Sequence, residues 1–323
     1  MGIKRMIQSQ NGASSWVRYF VLLLIALCTL CLAACKPDYS AFTQEVEQLR
    51  EEYHNDGLAL VVVKDNQVCY NQAWGELTPT TPVRCASISK TFVGVAVMQQ
   101  VEAGRLNLQD DASDWLGYSL RNPLYPDVPV TLENLLSHTS SLNDDDDHPF
   151  NDYAPGQGYC YCDVNITLVA RILEQVTGQP FDEYITEHVL QPLGIAAEYR
   201  LPYPASGLWI SAEDLTKWML FLMNDPIAEE MMRPRFPSYH NYGLTLLHSS
   251  DYSPNIDLVG HKGGCSGLRH AFYFHPQDKY GFIVLSTGTC YAPEHPEICL
   301  PDGEGDTSIR VPLLRLMYRT FIQ

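Results

Sequence analysis

The chain has 323 residues, with 21 Lys and Arg against 38 Asp and Glu, a formal net charge of −17. That length is near the upper limit for one hydrophobic core, so one large domain or one domain of two lobes is expected. A surface this acidic repels phosphate backbones and anionic headgroups, which argues against nucleic acid as a partner.

At the start of the chain, Lys4, Arg5 and Arg18 precede the apolar run "FVLLLIALCTLCLAA". The run is the length of a signal-peptide core and short for a membrane span of ~20 residues, so residues 1–34 read as an export signal. It ends in "LAAC", Leu32 to Cys35, which resembles the bacterial lipoprotein signal, with Cys35 as the lipidated residue. Lys36 follows, and the Asp associated with inner-membrane retention is absent; a lipid anchor facing the periplasm, on the outer membrane, is the expected location. Ordinary secretory cleavage, leaving Cys35 a thiol, is the alternative. Removing residues 1–34 removes three basic residues and no acidic ones, so attachment must come from the lipid. Seven further cysteines lie at 69, 85, 160, 162, 265, 290 and 299. In an oxidising compartment Cys69 with Cys85, and Cys290 with Cys299, are the expected disulfides, because each pair closes a short segment. No cysteine spacing is accompanied by the His/Cys pair of a zinc site, so neither a metal nor a cofactor is expected.

Residues 40–53 place Phe42, Val46, Leu49 and Tyr53 at helical spacing behind a serine. "GLALVVVKDNQVCYNQAWGE" reads as a hairpin turning at Asp65 and Asn66. Residues 87–235 are mostly helical: the apolar run 87–103 closed by Gly104, then "TLENLLSH", "VNITLVARILEQVTG", "PFDEYITEHVL" and "SAEDLTKWMLFLM". The run "NDDDDHPFND" at 143–152 lacks the Gly and terminal Glu of an EF-hand and reads as a solvated acidic loop. "LRHAFYFHPQDKYGFIVLST" is a second hairpin turning at 276–279, and "RVPLLRLMYRTF" a closing helix with Pro312 in its first turn. The pattern predicts an α+β fold: an antiparallel sheet flanked by N- and C-terminal helices, with an inserted, mostly helical lobe. The expected domain is 35–323, its α/β lobe about 40–86 and 240–323, its helical lobe about 87–239, with a cleft between them.

Ser87 and Lys90, in "ASISKTF", carry the chemistry. A serine at a helix start sits where N–H groups converge, and a lysine one turn on reaches its hydroxyl. Serine is a weak nucleophile until something takes its proton, and a desolvated lysine can help. The bland alternative is a chance S-x-x-K whose lysine reaches out to water.

"ASISKTF" resembles the nucleophile segment of the serine hydrolases that include class C β-lactamases, penicillin-binding DD-peptidases and related esterases. Further segments agree in order: "TLENLLSHTSSL" at 131–142, "ILEQVTGQPFDEYI" at 172–185 and "GLWISAEDLTKW" at 207–218. The likeness runs over residues 40–323. It implies that "YCD", Tyr161 to Asp163, stands for the family's Y-x-N, with Tyr161 the proton shuttle; Tyr159 takes the role if the register slips by two, and Tyr161 as a plain cleft-wall aromatic is the alternative. It implies that "HKGG" stands for K-T-G or H-T-G. Gly263 then lets a ligand approach, Gly264 and Ser87 supply the oxyanion N–H groups, and His261 is a polar or cationic group on the wall or else a structural histidine. His138 is expected to order its loop rather than to act as a triad base.

Two departures stand out. Asp163 holds the asparagine position, where a carboxylate only accepts, and against Lys90 it would keep the ammonium charged. Lys262 replaces the threonine, though on a strand it points away from the face of His261. The expected function is an acyl-enzyme serine hydrolase of amides or esters, a D-amino-acid cell-wall peptide or a β-lactam first. An esterase, or a silent member that binds wall peptide or a protein partner, is the alternative. A monomer with a small-molecule or peptide substrate is expected.

Overall fold

The N-terminal hairpin and the C-terminal strands build one sheet, although 171 residues separate Gly75 from Leu247. β1 (Asn55–Lys64) and β2 (Gln67–Gly75) turn at Asp65 and Asn66, both with positive φ, which suits the right-handed twist of a two-residue hairpin. β1 then pairs antiparallel with β9 (Tyr280–Gly288), Leu60 opposite Val284. β8 (Leu268–His275), β7 (Leu258–Cys265) and β6 (Leu247–Ser249) extend the sheet, in the order β2-β1-β9-β8-β7-β6. β3 (Val83–Arg84), β5 (Leu208–Ile210) and β4 (Glu198–Tyr199) form a second, three-stranded sheet in the order β3-β5-β4. The computed structural model describes residues 37–236, 241–250, 252, 256–288 and 308–323. Contacts divide the chain into a short N-terminal unit ending at Glu45 and one unit over Val46–Gln323.

Helix α1 (Ser40–Glu52) opens the described chain. Helix α2 (Ser89–Glu102) is buried on nearly every side, which explains why its middle, Phe92–Met98, is an unbroken run without polar side chains. The expected single helix from residue 87 is instead a 3₁₀ turn, Ala86–Ile88, followed by α2. Ala86 has φ +50°, a region that disfavours an L side chain, so the chain enters the helix through a tight corner. Next come α3 (Ala112–Leu116), α4 (Leu132–Leu136), α5 (Asp163–Thr177) and α6 (Phe181–Ile185), the last continued by a π turn and a 3₁₀ turn. Thr131 and Asn134 form a reciprocal capping box on α4, and Gly178 with φ +70° ends α5. α7 (Ala212–Asn224), capped by Ser211, packs on β1, β8 and β9 and is followed by α8 (Ile227–Met232). α9 (Arg310–Phe321) packs on β8 and β9. Trp218 of α7 stacks on Phe92 of α2 at 3.8 Å and donates its indole N–H to Thr91, tying the two helices.

The acidic loop has a structural task. Asp144 accepts the backbone N–H groups of Asp163 and Val164, both at 3.0 Å, and so caps α5 from 19 residues away. His270, inside β8, joins the two sheets. Its Nδ1 accepts the N–H of Ser286 at 3.0 Å and its Nε2 donates to the carbonyl of Arg84 at 3.1 Å. Burial, ahead of the charge of Arg310, lowers its pKa from 6.5 to about 3, so the ring stays neutral.

The expected Cys69–Cys85 disulfide does not form. Cys69 is exposed on β2 and its thiol points to the carbonyl of Val62; Cys85 is buried beside Ser89 at the foot of α2. Short separation along the chain does not bring together a thiol on the outer strand of the large sheet and one under the small sheet. The expected Cys290–Cys299 pair, the export signal and the lipid site at Cys35 lie outside the described residues.

Two predictions follow from these ties. Asp144→Ala should cost about 0.5–2 kcal/mol of unfolding free energy in urea titration, whereas exposed Asp146→Ala should stay within about 0.5 kcal/mol. For His270 the unfolded chain takes up a proton below about pH 6.5 and the folded one only near pH 3, so stability falls as pH drops through that window. His270→Gln should flatten this fall by about 1.4 kcal/mol per pH unit at most, read from urea midpoints between pH 7 and 4. Parallel slopes in the two proteins would show that the ring is not the titrating group.

Candidate active site

The corner between β3 and α2 presents Ser87. The N–H of Cys85 donates to the carbonyl of Leu208, Ser89 Oγ donates to the carbonyl of Ala86 at 2.7 Å, and the N–H of Leu208 donates to Ser89 Oγ. These bonds fix the 3₁₀ turn against the small sheet. They leave Ser87 half-buried. The neighbouring Cys85 thiol is inert as a nucleophile, because burial pushes its pKa up to about 12.

Lys90 is wholly buried one turn further on. Its Nζ donates to Ser87 Oγ at 3.1 Å and to the carbonyl of Ala205 at 3.3 Å, and pairs with Asp163 Oδ1 at 2.7 Å. Three acceptors meet the three protons of an ammonium, which is how a charge is held in so enclosed a place. The same nitrogen lies 4.7 Å from the ring centre of Tyr161. Ser87 and Asp163 therefore meet at the Lys90 nitrogen, with the Tyr161 ring beside it, in the register that aligns "YCD" with Y-x-N. Tyr159 belongs to a neighbouring aromatic group with Phe236 and Tyr242.

Tyr161 is placed by His138. The N–H of Cys160 donates to the carbonyl of His138, and the N–H of Cys162 donates to its Nδ1, so both neighbours of Tyr161 hang from one residue. The Asn165 amide also reaches Nδ1, at 3.1 Å, and the imidazole lies 4.3 Å from the phenol ring. Burial first, then the charge of Lys90, holds His138 well below the ordinary histidine range, and it is a neutral acceptor at Nδ1.

Strand β7 forms the other wall. His261 donates from Nδ1 to the carbonyl of Lys262 at 2.5 Å, and its Nε2 accepts from the Tyr242 hydroxyl at 3.1 Å. Burial and then Lys90 bring its pKa down to about 3, so of the two states expected for it the polar, neutral one is present. Gly263 lies directly against the nucleophile corner: a Cβ there would come within 2.2 Å of the Cys85 carbonyl. Gly264, one residue further, is exposed and pairs with Arg269 across the sheet, and a Cβ there would lie 3.6 Å from the Arg269 guanidinium. Lys262 alternates to the other face from His261 and Gly263, as expected. Arg310, buried on α9, donates to the carbonyls of Gly263 and His270, a cross-strand pair.

His270 and Arg310 were not marked by any motif, and Asp144 was read only as part of a solvated acidic loop. Each acts on a backbone group far away in the chain, and such pairings leave no local spacing to read. Among the described residues no cluster of His, Cys, Asp and Glu could hold a metal ion.

A family model described as Beta-lactamase matches residues 42–199. Protein flp of Staphylococcus aureus (strain MW2) is 25% identical over 307 residues, covering 75% of this chain and 61% of that protein. The chain thus spans about three fifths of the length of the curated relatives it matches. The octameric penicillin-binding protein homologue from Pyrococcus abyssi has a TM-score of 0.71 at 22% identity, over 80% of this chain and 75% of that one. EstCE1, a hydrolase with promiscuous acyltransferase activity, has a TM-score of 0.71 at 16% identity, over 85% and 97% of the two chains. The structural likenesses establish the shared α+β fold. With the family match over residues 42–199 and the motifs in order along that fold, the chain is similar to the β-lactamase family.

Proposed function

We propose that the protein hydrolyses an amide or ester through an acyl-enzyme on Ser87, with a D-amino-acid peptide of the cell wall as the first candidate substrate and a small acyl ester as the second. The observation that carries this reading is the 3.1 Å contact between Ser87 Oγ and the wholly buried Nζ of Lys90. An ammonium so enclosed stabilises negative charge on whatever lies beside it.

Asp163 occupies Lys90 in an ion pair at 2.7 Å, so the base in this reading is Tyr161, whose ring centre lies 4.7 Å from the Lys90 nitrogen. Ser87 Oγ bonds to the carbonyl carbon as its proton passes to the Tyr161 oxygen. The N–H groups of Ser87 and Gly264 take up the charge on the carbonyl oxygen, a contribution of ~3 kcal/mol per donor in comparable sites. The bond to the leaving group then breaks, Tyr161 returns the proton to it, and a water molecule resolves the acyl-Ser87 by the same steps. His261, neutral and held by Tyr242, is a polar element of the wall. Export through residues 1–34 and lipidation at Cys35 would place this chemistry at the cell envelope, on the periplasmic side.

The Asp163–Lys90 ion pair also favours a second reading, a member that binds wall peptide without turnover, because it fixes the proton that a lysine base would need. The two readings separate by covalent labelling. A fluorophosphonate should add one adduct to the wild-type protein by intact mass and none to Ser87→Ala. Tyr161→Phe should label some 10²- to 10⁴-fold more slowly. Wild-type protein that resists both fluorophosphonates and a panel of penicillins and activated esters is a binder, and the hydrolase reading then fails.

A further inference from the structure

We infer that Asp163 makes this site select acyl groups with a free, positively charged amine on the carbon next to the attacked carbonyl, so that the substrate is an unblocked aminoacyl amide or ester. The inference rests on the proposed nucleophile at Ser87 and adds the chemical class of the acyl group.

The starting point is a half-used carboxylate. Asp163 Oδ1 is taken by Lys90, while among the described residues Oδ2 has no hydrogen-bond partner and the side chain is 51% exposed. An asparagine in this place offers both a donor and an acceptor, which suits an N-acylated substrate whose amide does both. A carboxylate offers acceptors alone, so it rewards a group that only donates, and an ammonium does so most strongly.

Distance sets where on the substrate that group belongs. Ser87 Oγ and Asp163 Oδ1 touch the same nitrogen at 3.1 and 2.7 Å and are therefore less than about 6 Å apart. A carbonyl carbon poised for attack lies ~3–3.5 Å from the hydroxyl. An amine on the adjacent carbon is about 2.5 Å beyond it, and a charge-assisted hydrogen bond needs a further ~2.8 Å. An α-amine spans the gap between the two groups.

The surrounding charge agrees. Asp144, bonded to the N–H of Asp163 at 3.0 Å, is a second carboxylate on this side of the cleft. His138 and His261 are held neutral. Lys90 is already matched by Asp163, and the remaining cations, Lys262, Arg269 and Arg310, belong to the β7 wall, Lys262 on its far face, Arg269 beside Gly264 and bonded to the carbonyls of Cys265 and Leu268, and Arg310 on the Gly263 carbonyl. In the reaction the Ser87 ester forms, the bond to the leaving nitrogen or oxygen breaks with that atom taking the Tyr161 proton, and water releases the free amino acid.

The test is competition against fluorophosphonate labelling of Ser87. D- and L-alaninamide and their N-acetyl forms serve as the protecting compounds. One of the free-amine compounds should slow labelling of the wild-type protein at roughly ten- to hundredfold lower concentration than its N-acetyl form, and Asp163→Asn should abolish or reverse that ratio. A wild-type protein that labels but is protected equally well, or better, by the N-acetyl forms, or by none of the four, overturns the inference and leaves the nucleophile standing. An unchanged ratio in folded Asp163→Asn does the same. Absence of labelling refutes the underlying hydrolase reading. Should Asp163→Asn fail to fold, wild-type protection must weaken as pH rises through the alaninamide pKa while that by the N-acetyl form stays level; parallel curves overturn the inference.

Discussion

A single buried ammonium organises this molecule. Enclosing Lys90 costs several kcal/mol unless its charge and all three protons are met. The acceptors come from separate parts of the chain: Ser87 from the corner before α2, Asp163 from the start of α5, Ala205 from the segment leading into β5. Each must arrive at about 3 Å, so satisfying one nitrogen draws the helical lobe and the small sheet around the nucleophile. The half-exposed state of Asp163 limits the desolvation penalty on the carboxylate side, since only one of the two ions is fully removed from water.

The opposite wall is set by contact rather than charge. β7 can pass the nucleophile corner only because residue 263 has no side chain, and the backbone groups around that approach are then held from outside the cleft. Arg310 binds the carbonyls of Gly263 and His270, and His270 binds the carbonyl of Arg84, two residues before Ala86 with its strained φ. A chain of buried hydrogen bonds thus runs from the last helix through two strands to the turn that presents Ser87. Such supports are stiff, which is the condition for oxyanion donors to need no rearrangement during reaction.

The acid at position 163 gives Lys90 an ion-pair partner at 2.7 Å, and both the proposed base and the proposed preference for a charged acyl group rest on that one contact. The histidines adjust to this arrangement by staying neutral. His138 serves as an acceptor that suspends Tyr161 between two backbone N–H groups, and His261 is locked between Lys262 and Tyr242.

Much of this was legible in the sequence because it is local. Alternation and turn residues located both hairpins, helical spacing and caps located α4, α5 and α7, and the spacing of Ser87 and Lys90 alone placed a hydroxyl beside an amine. The largely apolar run behind them was readable as a buried helix, though its first turn proved to be 3₁₀, since the strain at Ala86 depends on what the corner packs against. What the tertiary structure alone decided are the pairings over long separations: Asp144 on the start of α5, His138 around Tyr161, His270 and Arg310 behind β7, and the separation of Cys69 from Cys85. Local patterns record the energy of a residue with its near neighbours. A hydrogen bond closed by the meeting of two distant segments leaves no trace in either segment until the fold has brought them together.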